Sequence, residues 1–298
     1  MPNIYRLVGA SVVALSLIIF FCFVWTVDVD VMYQWHLLAH GKGEPSPNSV
    51  IAGGTPLRIM FLGASVTRGE ESVGNRGYRK HIRDELTSRG NPVNCVGFNR
   101  FGNFIDNDVE GYSANRIRQV RKHAEQSVPY LQPNLVLIQV GTSDCFQNDD
   151  TANIMSRMRD LVEYLLEASP RATVIMSTIV TTPRMEFEPC MKSANAQIRQ
   201  AATDLIREGK PVALAEMHYD QELPRRPRPE DIGHDNIHPT SSGYFMMADI
   251  FMEKIREVEK KGFLKYPVDN GIPADGEASR EVEDMLREKA QKEHPLER

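Results

Sequence analysis

Five short apolar runs, residues 58–62, 94–98, 135–140, 173–178 and 212–215, alternate along the chain with segments whose apolar residues recur at helical spacing, 77–88, 114–126, 151–168, 192–207 and 242–260. A strand that is apolar at successive positions must be covered on both faces, and a helix after each strand supplies that cover while returning the chain for parallel pairing. The alternation predicts an α/β fold, with five βα units forming one domain around a parallel sheet. In open sheets of this kind, ligands bind beyond the carboxyl ends of the strands. Polar and glycine residues gather there: Gly63-Ala64-Ser65-Val66-Thr67, Glu110-Gly111-Tyr112-Ser113, Gly141-Thr142-Ser143-Asp144, and Asp235-Asn236-Ile237-His238-Pro239-Thr240 after the last run.

The ends of the chain read differently. Residues 7–27, LVGASVVALSLIIFFCFVWTV, are about 21 without a charge, and at about 1.5 Å each they can cross a hydrocarbon core of roughly 30 Å. A cleavable signal has an apolar stretch of only about 7–15 residues and a small-x-small site behind it, so an uncleaved transmembrane helix is expected, with a signal peptide as the alternative. Arg6 favours a cytosolic amino terminus and a membrane-tethered domain in the secretory lumen or outside the cell; cleavage would make the protein secreted. The expected layout is a stub, anchor and juxtamembrane segment (1–39), a Gly/Pro/Ser-rich linker (40–56), the catalytic domain (57–262) and a charged tail (263–298). In that tail Val282, Met285, Leu286 and Ala290 mark a short stripe, read as a solvated helix.

Composition narrows the partners. With 35 basic against 40 acidic residues and a net charge of -5, no nucleic-acid surface is expected. Four cysteines without a C-x-x-C pair argue against a cysteine zinc site. Cys145 and Cys190 follow the third and fourth runs, neighbours in a parallel sheet. A lumenal domain would allow a disulfide between them, two unpaired thiols being the alternative, while Cys95 within a strand is expected as a buried thiol.

Ser65 follows a buried strand, where a turn into a helix would expose its hydroxyl beside free backbone N–H groups; it suits a nucleophile, or alternatively a helix cap. GASVTRG is neither a phosphate-binding loop nor a dinucleotide fingerprint, and no cofactor is expected. A serine nucleophile needs a base and a group to orient it, and Asp235 and His238, three residues apart, can supply both. His234 and His238 loosely match a zinc helix, but Gly233 and Pro239 flank them and disfavour helix, so no metal is expected. The N–H groups of Ser65 and Gly111 and the hydroxyl of Ser143 are candidate oxyanion donors.

Several blocks in order, RIMFLGASVTRG with the following GYR, VGFNRFGNFIDNDVEGYSA, VLIQVGTSDC, SANAQIR, MHYD and DNIHPTSSGYFMMA, are similar to those of the SGNH hydrolases, or GDSL-like esterases. The chain most resembles fungal members related to carbohydrate esterase family three. The resemblance, over about residues 57–262, implies a flavodoxin-like three-layer α/β/α sandwich, Ser65 as nucleophile, Gly111 as second oxyanion donor, and His238 with Asp235 completing a triad. The third block departs from the family's Gly-x-Asn-Asp, since Ser143 replaces the oxyanion asparagine. The expected function is a serine esterase taking acetyl or other short acyl groups from a carbohydrate. The alternatives are a lipid or lysophospholipid acyl hydrolase, an acyltransferase, and a weak or inactive carbohydrate-binding scaffold.

Overall fold

Seven strands form the sheet of the computed structural model, which describes residues 50–293. They are β1 (Leu57–Gly63), β2 (Val93–Val96), β3 (Asn99–Arg100), β4 (Asp108–Gly111), β5 (Leu135–Gln139), β6 (Thr173–Ser177) and β7 (Val212–Ala215). Among them β2, β1, β5, β6 and β7 pair in parallel in that order, which is the five-stranded doubly wound sheet expected from the alternation. The helices are α1 (Ser65–Arg68), α2 (Gly77–Ser88), α3 (Ile117–Leu131), α4 (Thr142–Phe146), α5 (Ile154–Ala168), α6 (Glu188–Arg207), α7 (Ser241–Lys260) and α8 (Gly276–Glu293).

The pleat of β1 shows why this sequence needs two layers of helices. Leu57, Ile59 and Phe61 join a core with Tyr78 and Leu86 of α2 and Phe251 and Ile255 of α7. Met60 and Leu62 point the other way, into a core with Val120 of α3, Leu161 of α5 and Ile198 of α6. Each such side chain, fully buried, contributes about 1.5–3 kcal/mol relative to exposure, so the two cores hold the sheet between them.

Two features differ from the sequence expectation. A short antiparallel pair, β3 with β4, is added to the five strands, and β4 pairs in parallel with the last residues of β1, Leu62 with Glu110 and Gly63 with Gly111. Periodicity could not reveal it, because DVEG carries two acids and a single apolar residue, and its burial comes from tertiary contact. The reading of the tail as a solvated helix is corrected: Ile272, Val282 and Leu286 pack against the α3–α5–α6 core and Ala290 is buried, leaving Met285 of the stripe exposed. The candidate membrane anchor, residues 7–27, lies outside the described residues. Among those that are described, no helix is long and apolar enough to cross a membrane.

Cys145 and Cys190 form a disulfide, with Cα atoms 5.7 Å apart, and Cys95 is a free buried thiol. The bridge joins α4 to the start of α6, so both cysteines lie in helices.

Candidate active site

The turn carrying Ser65 is specified by close approach. Gly63 ends β1 where a Cβ would stand 2.0 Å from the Gln139 carbonyl oxygen and 2.2 Å from Thr67 Oγ1, so only glycine fits. The Thr67 hydroxyl donates to that same carbonyl at 2.9 Å, and Tyr78 donates to Thr67 Oγ1 at 3.1 Å. Ala64, not Ser65, occupies the cap position of α1, so the serine is the first helical residue and the capping alternative does not apply. Its N–H belongs to the first turn, whose donors have no acceptor within the helix. The turn closes where Gly69, at φ 84°, and Glu70 both donate backbone N–H to the Ser65 carbonyl, at 3.1 and 3.2 Å.

The sheet places the other two candidate donors on either side. Gly111 ends β4 and is in register with Gly63; a Cβ on it would stand 3.1 Å from Arg68 Cγ and 3.4 Å from the Ala64 carbonyl oxygen, against the serine turn itself. On the other flank β5 pairs with β1, and its continuation enters α4 through Gly141 at φ 122°, leaving Ser143 nearly buried in the first turn. Asp144 fixes that turn. Its carboxylate accepts from the Ile117 N–H at 3.1 Å and pairs with Arg157 at 2.6 Å. Burial pushes this carboxyl above its ordinary value, against the opposing pull of Arg157 and the Ile117 N–H.

Asp235 and His238 lie on a turn, not a helix, so the zinc-helix geometry of His234 and His238 does not form. The Asp235 Oδ1 accepts the backbone N–H groups of Ile237 and His238, each at 3.0 Å, and its Oδ2 takes the imidazole Nδ1. Burial opposes ionisation of Asp235, yet these three donors together hold it below the ordinary carboxylate value. Because the carboxylate only accepts, Nδ1 carries the proton and Nε2 is left as a bare acceptor. That Nε2 is buried and has no hydrogen-bond partner in the protein.

The turn is pinned from three directions. Gly233 donates to the His238 carbonyl at 2.7 Å, and Ile232 bridges to Pro239. Thr182, beyond β6, donates its hydroxyl to the Asn236 carbonyl at 2.7 Å. Tyr244 of α7 donates to the Glu70 carbonyl at 2.9 Å, and Ser241 Oγ accepts from the Val73 N–H at 3.1 Å, tying the start of α7 to the loop behind Ser65. His238 Nε2 consequently sits 3.8 Å from a Glu70 carboxylate oxygen, one backbone hydrogen bond away from Ser65. Sequence reading singled out none of Glu70, Thr182 or Tyr244, since each acts through a contact between segments distant in the chain.

The sequence and the fold are similar to those of known proteins. The sequence profile of the GDSL-like Lipase/Acylhydrolase family matches residues 61–245. The fold is similar to a family 3 carbohydrate esterase of Clostridium thermocellum, with 24% identity, a TM-score of 0.59, and coverage of 68% of this chain and 98% of that one. It is also similar to a family 3 carbohydrate esterase from Talaromyces cellulolyticus, at 20% identity and TM-score 0.58 over 69% of this chain and 99% of that one. Axe2, an acetylxylan esterase from Geobacillus stearothermophilus, aligns at 19% identity and TM-score 0.52 over 68% of this chain and 95% of that one. At such identities the likeness is one of fold. No curated protein sequence matches the chain.

Proposed function

The chain belongs to the GDSL-like lipase/acylhydrolase family and is a carboxylic ester hydrolase, and on that premise we propose that it removes acetyl groups from carbohydrate through a Ser65–His238–Asp235 triad. The observation that carries the reading is His238, its Nδ1 held by Asp235 and its Nε2 without a hydrogen-bond partner, 3.8 Å from the carboxylate of Glu70, whose N–H bonds the Ser65 carbonyl. An imidazole so held can take one proton and return it.

In this mechanism His238 Nε2 removes the Ser65 hydroxyl proton as Oγ attacks the ester carbonyl. Asp235 keeps the imidazole in the correct tautomer and stabilises the cation that forms, without itself taking the proton. Charge developing on the carbonyl oxygen is met by the N–H groups of Ser65 and Gly111 and by the Ser143 hydroxyl, and one such donor is worth about 2.7–4 kcal/mol in other hydrolases. Collapse breaks the bond to the alcohol, which leaves with the proton from Nε2. Water then repeats the sequence on the acyl-enzyme and frees the acid.

The acetyl and carbohydrate parts are supported by the folds of the family 3 esterases and of Axe2. A secretory-lumen or extracellular site for the catalytic domain, proposed as 57–262, is supported by the Cys145–Cys190 bridge, since disulfides persist in oxidising compartments. The deciding experiment compares acetylated xylose with long-chain lipid esters, using wild type and Ser65→Ala, beside labelling by a fluorophosphonate. Wild type should label and should cleave the acetyl sugar in preference. Turnover by folded Ser65→Ala would remove the triad, and preference for long chains would replace acetyl sugar with lipid.

A further inference from the structure

Glu70 stands beside the reacting nitrogen and takes no part in the mechanism above. Its backbone is fixed at both ends, the N–H donating to the Ser65 carbonyl at 3.2 Å and the carbonyl accepting from Tyr244 Oη at 2.9 Å. One carboxylate oxygen, Oε1, pairs with Arg68 at 2.9 Å and accepts from the Ser113 hydroxyl, which is itself held by Arg68. The other, Oε2, faces His238 Nε2 at 3.8 Å. Three anchors therefore aim one acceptor oxygen at the place where the alcohol leaves.

The leaving oxygen must come within about 2.6–3.2 Å of Nε2 to receive its proton. An oxygen on the adjacent carbon of the same alcohol then falls within reach of Oε2, whereas a plain alkyl alcohol offers the carboxylate nothing. We propose that Glu70 is a specificity-determining residue that selects esters whose alcohol carries a free hydroxyl on the carbon next to the ester, by accepting a hydrogen bond from that hydroxyl. The substrate class is monoesters of 1,2-diols, of which a partly acetylated sugar is one form. Bonding to an ionised acceptor makes the contact about twice as strong as a neutral one, and Arg68 and Ser113 hold Glu70 ready for it without rearrangement. The inference rests on the esterase reading of the same site.

The test compares kcat/KM for 2-hydroxyethyl acetate with that for 2-methoxyethyl acetate, in which a methyl group replaces the hydrogen that would bond Glu70. Wild type should favour the hydroxyl ester by about tenfold or more, in line with a site built to bond a hydroxyl. In Glu70→Leu the ratio should fall to about one, and in Glu70→Gln, whose amide oxygen still accepts, it should lie between. The ratio is the informative quantity, because a merely structural change that misplaced His238 would slow both esters alike. A wild-type ratio near one, or a ratio kept in Glu70→Leu, overturns the inference while leaving the esterase in place. If Glu70→Leu does not fold, a ratio in Glu70→Gln equal to that of wild type overturns it as well. Hydrolysis of neither ester by wild type would overturn both readings.

Discussion

The two ends of the sheet use buried polar side chains in opposite ways. At the amino ends of the strands, residues 263–273 run across the sheet as a strap, and side chains reach from the strands to its backbone. Thr173 donates to the Phe263 carbonyl at 2.9 Å, Asn134 to Lys265 at 2.7 Å and Asn94 to Pro273 at 2.8 Å. Arg58 alone bonds the carbonyls of Leu131, Val268 and Ile272 and the side chain of Asn270. There most of the donors meet main-chain acceptors, and the result is closure. At the carboxyl ends the side chains also pair with one another, Asp235 with His238 and Glu70 with Arg68, and His238 Nε2 is left without a hydrogen-bond partner. The same kind of buried polar chemistry is structural where the partners are mostly fixed backbone, and can serve a site where an imidazole nitrogen is held without a partner.

The contrast is broken most directly by exchanging effects between the two ends. Ser65→Ala and His238→Ala should each lower kcat/KM by about ten-thousand-fold on an acetyl ester while leaving the melting temperature where it is. Steady-state kinetics and a thermal scan on the same preparation check both halves, and a large fall in stability would show that the carboxyl end is structural after all.

A second measurement sharpens the comparison through pH. Glu110, on β4 beside Gly111, is fully buried, and burial pushes its carboxyl up to about 7, against the pull of the Phe98 N–H and the Ser127 and Tyr112 side chains. A carboxyl raised on folding favours the neutral form, so its contribution is complete below its ordinary value near 4.5 and is lost as pH rises through about 7. Asp106, against the start of α8, and Glu283, within α8, are raised by burial to about 7 as well. Stability should therefore fall between pH 5 and 8, and Glu110→Gln should remove on the order of 3 kcal/mol of that fall. Urea unfolding at both pH values measures it; an equal fall in the variant would reject a protonated Glu110.

Smaller effects are expected from Arg58→Ala and Ser143→Asn. Loss of Arg58 should cost about 2 kcal/mol and raise hydrogen exchange along 263–273, with kcat per folded molecule unchanged. A fall in kcat would mean that the strap communicates with the site. Ser143→Asn restores the longer carboxamide of the family's third block, and it should raise kcat by about tenfold with little change in KM. Unchanged or lower kcat in a folded variant would leave Ser143 as a sufficient donor.

Sequence alone determined the layers of this protein and the candidates for part of its proposed site. Apolar alternation such as Leu57, Ile59 and Phe61 against Met60 and Leu62 repeats locally along the chain, so it is legible in one dimension and implies two cores. Ser65 was legible because it follows a buried run, and Asp235 with His238 because, three residues apart on a tight segment, a carboxylate can reach an imidazole in the same loop. Gly111 and Ser143 were legible only as polar breaks and through the family blocks. The tertiary structure decided the β3–β4 pair, the strap, the docking of α8 and the place of Glu70. The strap and the place of Glu70 depend on hydrogen bonds or ion pairs between segments far apart in sequence, such as Arg58 with Ile272 or Glu70 with His238. A polar partner leaves no period in the chain, because one donor meeting one acceptor has no neighbour that must repeat it, whereas an apolar face does.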